Sequence, residues 1–199
     1  LNSIRRIERE RVHDHAHRAQ YTAGKIGDEA VCGYLEEEGV QADSMTETYA
    51  TLKLYIDNWR WRGVPFYLRT GKRLQESQSM ISICFKQPPQ QFFRETGANP
   101  KMRIWLILGI QPEVCLLIEM SVKEPGLEMH TRTASLNASF TEAEVKHIDA
   151  YEDLLLDVVN GDQALFLRWD EVEWAWRIVD PVLRAWAEDD TGMDTYEAG

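Results

Sequence analysis

From Thr46 onward the sequence alternates between apolar and polar residues. Ala50, Leu52, Leu54 and Ile56 interleave with Thr51, Lys53, Tyr55 and Asp57. An extended strand sorts such a period of two onto an inner and an outer face, because successive side chains point to opposite sides. The same pattern predicts strands over 64–69, at Ile81, Ile83 and Phe85, and over 133–140, where Ala134, Leu136, Ala138 and Phe140 alternate with Thr133, Ser135, Asn137 and Ser139. Residues 104–110 are nearly all apolar, as in a central strand covered on part of both faces. Gln111, Pro112 and Glu113 connect it tightly to a further strand over 114–122. Short connections between successive strands favour antiparallel pairing, since parallel neighbours need a crossover of about a dozen residues or more.

Two helices are predicted after the strands. Asp149 and Glu152 have capping-box spacing ahead of Leu154, Leu155, Val158 and Val159, and Gly161 provides a stop. Asp170 and Glu173 repeat the spacing before Val172, Trp176, Val179, Leu183 and Trp186, with Pro181 inside the second helix. Strands followed by helices define an α+β class. The expected architecture is a large, mainly antiparallel sheet with helices packed on one face. Residues 1–45, charged at first and then acidic and glycine-bearing, read as a helix end followed by long loops.

Composition narrows the function classes. The chain has 199 residues, a formal net charge of −11 and seven tryptophans, which fits one sizeable folded domain. Its negative field argues against nucleic acid as a partner. It leaves room for a small anion, since screening confines distant charges to about 8 Å. No apolar run reaches the roughly 18 residues of a membrane span, so no membrane partner is expected. Cys32, Cys84 and Cys115 form an odd set without CxxC spacing, the pattern of reduced thiols in the cytoplasm. The start without Met reads as an excised fragment.

Candidate chemistry concentrates in Val64-Pro-Phe-Tyr-Leu-Arg-Thr-Gly-Lys-Arg-Leu74, where Arg69, Lys72 and Arg73 surround Gly71 at a strand end. Such a loop can bring a cation to a phosphate, or it can be an ordinary solvated turn. It is not a Walker A loop: Phe66 stands where the leading glycine belongs, and Arg73 replaces Ser or Thr. His13, His15 and His17 would share one face if extended, as metal ligands or as solvated side chains. No further ligand completes a metal set, and none is expected. The glutamates at 36–38 read as a solvated face. The tryptophans around 59–61 and 169–176 read as core or subunit interface.

The run Ile56-Asp-Asn-Trp-Arg-Trp-Arg-Gly-Val-Pro-Phe-Tyr-Leu-Arg-Thr-Gly-Lys-Arg-Leu74 closely resembles glucose-6-phosphate dehydrogenases. The resemblance continues through Gln20-Tyr-Thr-Ala-Gly24, Gln111-Pro112, Pro125-Gly126, Asp149-Ala-Tyr-Glu152, Gly161-Asp-Gln163 and Ala175-Trp-Arg-Ile-Val-Asp-Pro181. It reaches Tyr196-Glu-Ala-Gly199, which resembles the family's Tyr-x-Ala-Gly segment. It implies that residues 1–199 form the family's C-terminal, substrate-contacting and dimerisation domain. Residues 1–45 would lead from a nucleotide-binding domain, and 46–199 would form the sheet-and-helix core. The implied parent oxidises glucose 6-phosphate to 6-phosphogluconolactone with NADP, in the cytoplasm and the pentose phosphate pathway, as a homodimer or dimer of dimers. The catalytic His and the nucleotide fingerprint are expected upstream, so no catalytic residue is expected here and the isolated chain should be inactive. The alternative is a non-catalytic oligomerisation or regulatory homologue.

By the same resemblance, Lys72 matches a substrate-contacting lysine and Gln111 a glutamine that can hydrogen-bond the sugar phosphate. Five residues beyond that lysine the family usually carries a second Lys or Arg. Ser77 stands there instead, which puts that contact in doubt and leaves Arg73 as a substitute. A structural NADP in animal members uses an Arg where this chain has Gly109, so no second nucleotide site is expected.

Overall fold

The computed structural model describes residues 1–87, 103–127, 130–140, 150–189 and 191–199. The chain divides into two compact units, Leu1–Gln75 with Asp149–Gly199, and Glu76–Ile148. The class is α+β, with antiparallel pairing dominant in each sheet.

In the first unit, a short helix α1 (Val12–His15) leads into β1 (Ala16–Thr22), followed by a two-stranded ribbon of β2 (Gly24–Ile26) and β3 (Glu29–Val31). Then come β4 (Tyr49–Tyr55) and β5 (Pro65–Gly71), in register from Tyr49 opposite Gly71 to Tyr55 opposite Pro65. A C-terminal strand, labelled β10 below, runs parallel to β1 over Asp194–Glu197, giving the sheet order β10-β1-β4-β5. The expectation of long loops over 1–45 is therefore corrected: β1 is an inner strand of the sheet. Residues 18–21 of β1 are all buried, so the strand shows no period of two, and Arg18 and Gln20 are buried polar residues. Burial is tolerated because both are partnered. Gln20 donates to the carbonyls of Ser44 and Thr46, each at 2.8 Å, and Arg18 lies over the ring of Trp186.

The sequence also contains α2 (Ala150–Asn160) and α3 (Trp169–Ala187). The latter puts Ile178, Val182 and Trp186 on one stripe at four-residue spacing, and they pack with Ile7, Val12 and Leu54 as the core of this unit. Each fully buried large aliphatic side chain there is worth about 1.5–3 kcal/mol. The cap of α3 lies earlier than expected: the Arg168 amide donates to the Glu171 carboxylate at 2.9 Å, so Glu171, not Glu173, closes the first turn. The proposed cap at Asp149 lies outside the described residues. Gly161, with a φ of 71°, follows α2 in the left-handed conformation expected of a stop. Trp186 is buried, whereas Trp59, Trp169 and Trp176, among the tryptophans read as core or subunit interface, are exposed and do not belong to this core. No helix among the described residues is long and apolar enough to cross a membrane.

The second unit is one four-stranded antiparallel sheet. It comprises β6 (Ser79–Cys84), β7 (Trp105–Gln111), β8 (Cys115–Lys123) and β9 (Thr131–Ser139), adjacent in that order. Leu106, Ile118 and Leu136 lie side by side across it. Among its described residues none is buried, and Met80, Ile81, Ile83, Ile110 and Leu136 are exposed. Within the second unit the described apolar surface is left uncovered on this sheet.

Candidate functional site

The turn bearing Lys72 is built by β4, β5 and the C-terminal segment. β5 ends at Gly71, where a side chain would be crowded: a Cβ would stand 2.8 Å from Tyr49 Cδ2 and 3.2 Å from Leu74 Cδ1. The Lys72 amide donates to the Thr48 carbonyl at 2.9 Å. The next residue, Arg73, takes a φ of 51°, a left-handed conformation that reverses the chain. From β10, the Tyr196 hydroxyl donates to the Lys72 carbonyl at 2.7 Å, and the Gly199 amide donates to the Arg73 carbonyl at 3.0 Å. The Lys72 side chain itself is exposed, and its amine has no hydrogen-bond or ion-pair partner among the described residues.

Arg73 is differently placed. Its Nη2 meets Glu37 Oε1 at 3.1 Å, and the same oxygen accepts the Tyr21 hydroxyl at 2.9 Å. The hydrogen bond from Tyr21, and then the one from Arg73, hold the Glu37 carboxyl below the usual carboxylate range. Burial, followed by the bond to Glu37, pushes the Tyr21 phenol up. The Arg73 charge is thus balanced locally, while Lys72, beside it on the turn, has no such partner among the described residues. A point charge on a flexible stem suits a phosphate or sugar oxygen.

Gln111 and Ser77 belong to the second unit, Lys72 and Arg73 to the first. Gln111 ends β7 opposite Ser79 and is exposed, as is Ser77 just before β6. Gly109 on β7 is tightly enclosed: a Cβ there would stand 2.7 Å from Cys115 Sγ and 2.8 Å from the Glu113 carbonyl oxygen.

The three histidines do not share an extended face, because α1 coils the chain through His13 and His15 before β1 begins. His15 Nδ1 lies 3.1 Å from the Lys53 carbonyl, and His17 Nδ1 lies 3.6 Å from Asp194 Oδ2. Among the described residues no group of three His, Cys, Asp or Glu side chains could hold a metal. Sequence reasoning missed Tyr196, Thr48, Glu37 and Tyr21 as parts of the turn. The Tyr-x-Ala-Gly resemblance flagged Tyr196 but gave it no task.

Fold and site together define an α+β chain that displays, on a strand-end turn braced from the far end of the chain, a Lys72 amine unpaired among the described residues. Over residues 1–199 the sequence matches the family described as "Glucose-6-phosphate dehydrogenase, C-terminal domain", and the chain belongs to that family. It is 45% identical over 204 residues to a glucose-6-phosphate 1-dehydrogenase of Dickeya dadantii, covering all of this chain and 41% of that protein. It is 46% identical over 183 residues to one of Mycolicibacterium smegmatis, covering 90% of this chain and 36% of that protein. A solved structure described as glucose-6-phosphate dehydrogenase in complex with its substrate glucose-6-phosphate superposes with a TM-score of 0.81. The identity is 30%, with all of this chain and 39% of that one covered. A crystal structure of glucose-6-phosphate 1-dehydrogenase from Mycobacterium avium gives a TM-score of 0.76 at 32% identity, covering all of this chain and 38% of that one. The chain spans about two fifths of the length of these relatives.

Proposed function

We propose that this chain is the substrate-contacting and assembly part of a glucose-6-phosphate 1-dehydrogenase. The whole enzyme oxidises D-glucose 6-phosphate to 6-phospho-D-glucono-1,5-lactone. A hydride leaves C1 for the nicotinamide of NADP, and the C1 hydroxyl proton goes to a base. Both acceptor groups belong to the part of the protein outside these residues, which is why the chain alone is inactive in this reading. What these residues supply is position and charge. The observation that carries the reading is the exposed amine of Lys72, unpaired among the described residues, on the turn where the family resemblance expects a substrate lysine. The family resemblance assigns Gln111, on the second unit, a hydrogen bond to the sugar phosphate. Arg73, already balanced by Glu37, orders the turn. The close packing at Gly109 supports the absence of a second nucleotide contact at that position. The free thiols of Cys32, Cys84 and Cys115 support a cytoplasmic setting, and the uncovered apolar residues of the second sheet support a homodimer through it.

In the full-length protein, Lys72→Ala is expected to raise KM for glucose 6-phosphate about 10- to 100-fold. That is the effect of losing a charge-assisted contact of roughly 1.5–3 kcal/mol. Most of the effect should fall on KM and little on kcat, because phosphate binding is shared by ground and transition states. An unchanged KM would remove Lys72 from the site. NADP reduction by the isolated chain would refute its inactivity.

A further inference from the structure

We infer that Tyr196 is a positioning residue for substrate binding: its hydroxyl fixes the backbone of Lys72 and so sets where the Lys72 amine stands. The inference rests on the reading of Lys72 as the substrate lysine and goes beyond it. Thr48 lies 148 residues away in sequence, yet its Oγ1 sits 3.1 Å from the Tyr196 hydroxyl. A tyrosine hydroxyl carries one hydrogen. The contact of 2.7 Å to the Lys72 carbonyl is the short one and takes it, while the Thr48 carbonyl stands farther off at 3.2 Å. Thr48 in turn is held by the Tyr21 amide, which donates to its Oγ1 at 2.9 Å.

The ring is fixed as well as the hydroxyl. Tyr196 packs against Tyr49 with centroids 5.5 Å apart and against Tyr21 at 6.3 Å, within the range of favourable aromatic pairs. Tyr49 is the side chain that closes over Gly71. Lys72 therefore has its amide tied to Thr48, just before β4, and its carbonyl tied to β10, and the carbonyl of the following residue is tied to Gly199. Its side chain has no direct brace among the described residues. A long flexible stem loses affinity to its own freedom unless its base is held, and here the base is held by hydrogen bonds from a different strand.

The test compares Tyr196→Phe, Lys72→Ala and the double variant in the full-length protein. Phenylalanine keeps the ring on Tyr49 and Tyr21 and removes only the hydroxyl. Tyr196→Phe should raise KM for glucose 6-phosphate roughly 3- to 10-fold, the effect of one hydrogen bond. It should leave kcat within about 2-fold and KM for the nucleotide unchanged. In the Lys72→Ala background it should add nothing, because the group it positions is gone. An unchanged KM in Tyr196→Phe alongside a raised KM in Lys72→Ala would overturn the inference. So would effects that multiply in the double variant, since a merely structural loss acts whether or not the amine is present. If Lys72→Ala leaves KM unchanged, the substrate-lysine reading falls and takes the positioning role with it.

Discussion

Gly24→Ala asks how firmly the C-terminal segment is attached. Gly24 begins β2, and a Cβ there would overlap the Ala198 carbonyl oxygen, with Ala198 N at 2.8 Å and its carbonyl carbon at 2.9 Å. The obstacle is backbone, which cannot rotate aside as a side chain can. Two responses compete. The strands carrying Gly24 could shift, which would strain the ribbon pairing of Gly24 with Val31. Otherwise the segment 194–199 could lift away. Lifting breaks the β1–β10 pairing and the bonds from Lys25 to Ala198, from Ala198 to Thr22 and from Gly199 to Arg73, together with those of the Tyr196 hydroxyl. Each is worth about 1 kcal/mol net, while every released residue regains roughly 1–2 kcal/mol of backbone freedom. Release is the softer route, and the segment should open more easily by about 1–3 kcal/mol. Hydrogen exchange at Lys25, Ala198 and Gly199, the amides whose bonds are broken, should then quicken about 5- to 150-fold, at 1.4 kcal/mol per factor of ten. Exchange in α3 should be little altered. Gly27→Ala is the control: its φ of 59° carries the left-handed penalty, but nothing lies within 4 Å of a Cβ there, so the C-terminal amides should be unaffected. Unchanged exchange at Ala198 and Gly199 in Gly24→Ala would refute the reasoning.

Two further perturbations test the core and the turn. Val182→Ala removes two carbons from a side chain that is 1% exposed, and urea unfolding should show a loss of about 1.5–3 kcal/mol from transfer and cavity together; a loss below roughly 0.5 kcal/mol would deny Val182 its place in the core. Glu37 has a folded-state pKa below its ordinary value, so its contribution is complete above the unfolded pKa and is lost as pH falls through the folded one. The melting temperature of the unmodified chain should therefore exceed that of Glu37→Gln at neutral pH, with the gap closing below the usual carboxylate range; a gap independent of pH would show that the carboxylate charge is not what holds Arg73.

Where hydrophobic period and burial coincide, the sequence was readable. β4 shows Leu52 and Leu54 at alternate positions, with Leu54 buried, whereas β7 was readable from its apolar run alone, since none of its residues is buried. Lys72 was legible only through its neighbours, since glycine beside basic residues is common and the resemblance supplied the task. β1 was not legible, because its buried residues include Arg18 and Gln20, whose burial depends on partners distant in sequence. The difference between Lys72 and Arg73 was equally hidden. Both are cations on one turn, and only the approach of Glu37, brought in from 36 residues upstream, separates the balanced charge from the other. Hydropathy cannot report a partner that the fold delivers.

The same partners explain how an exposed lysine can be placed by a buried core. Ile178, Val182 and Trp186 fix the last turns of α3. Immediately after that helix, Asp189 meets Arg18, with Nη2 and Oδ2 3.8 Å apart and both side chains largely buried. Arg18 also lies over Trp186, so the core helix and β1 are joined where the helix ends. The Thr191 hydroxyl, and then its amide, hydrogen-bond the Asp189 carboxyl and keep it below its usual range, so that it stays ionised opposite the guanidinium. From that junction the chain enters β10, and Tyr196 reaches the Lys72 carbonyl. Each link is short and directional, whereas the amine at the end is unpaired among the described residues. Rigidity is thus concentrated in the backbone beneath Lys72, and mobility is left to the side chain proposed to contact the substrate.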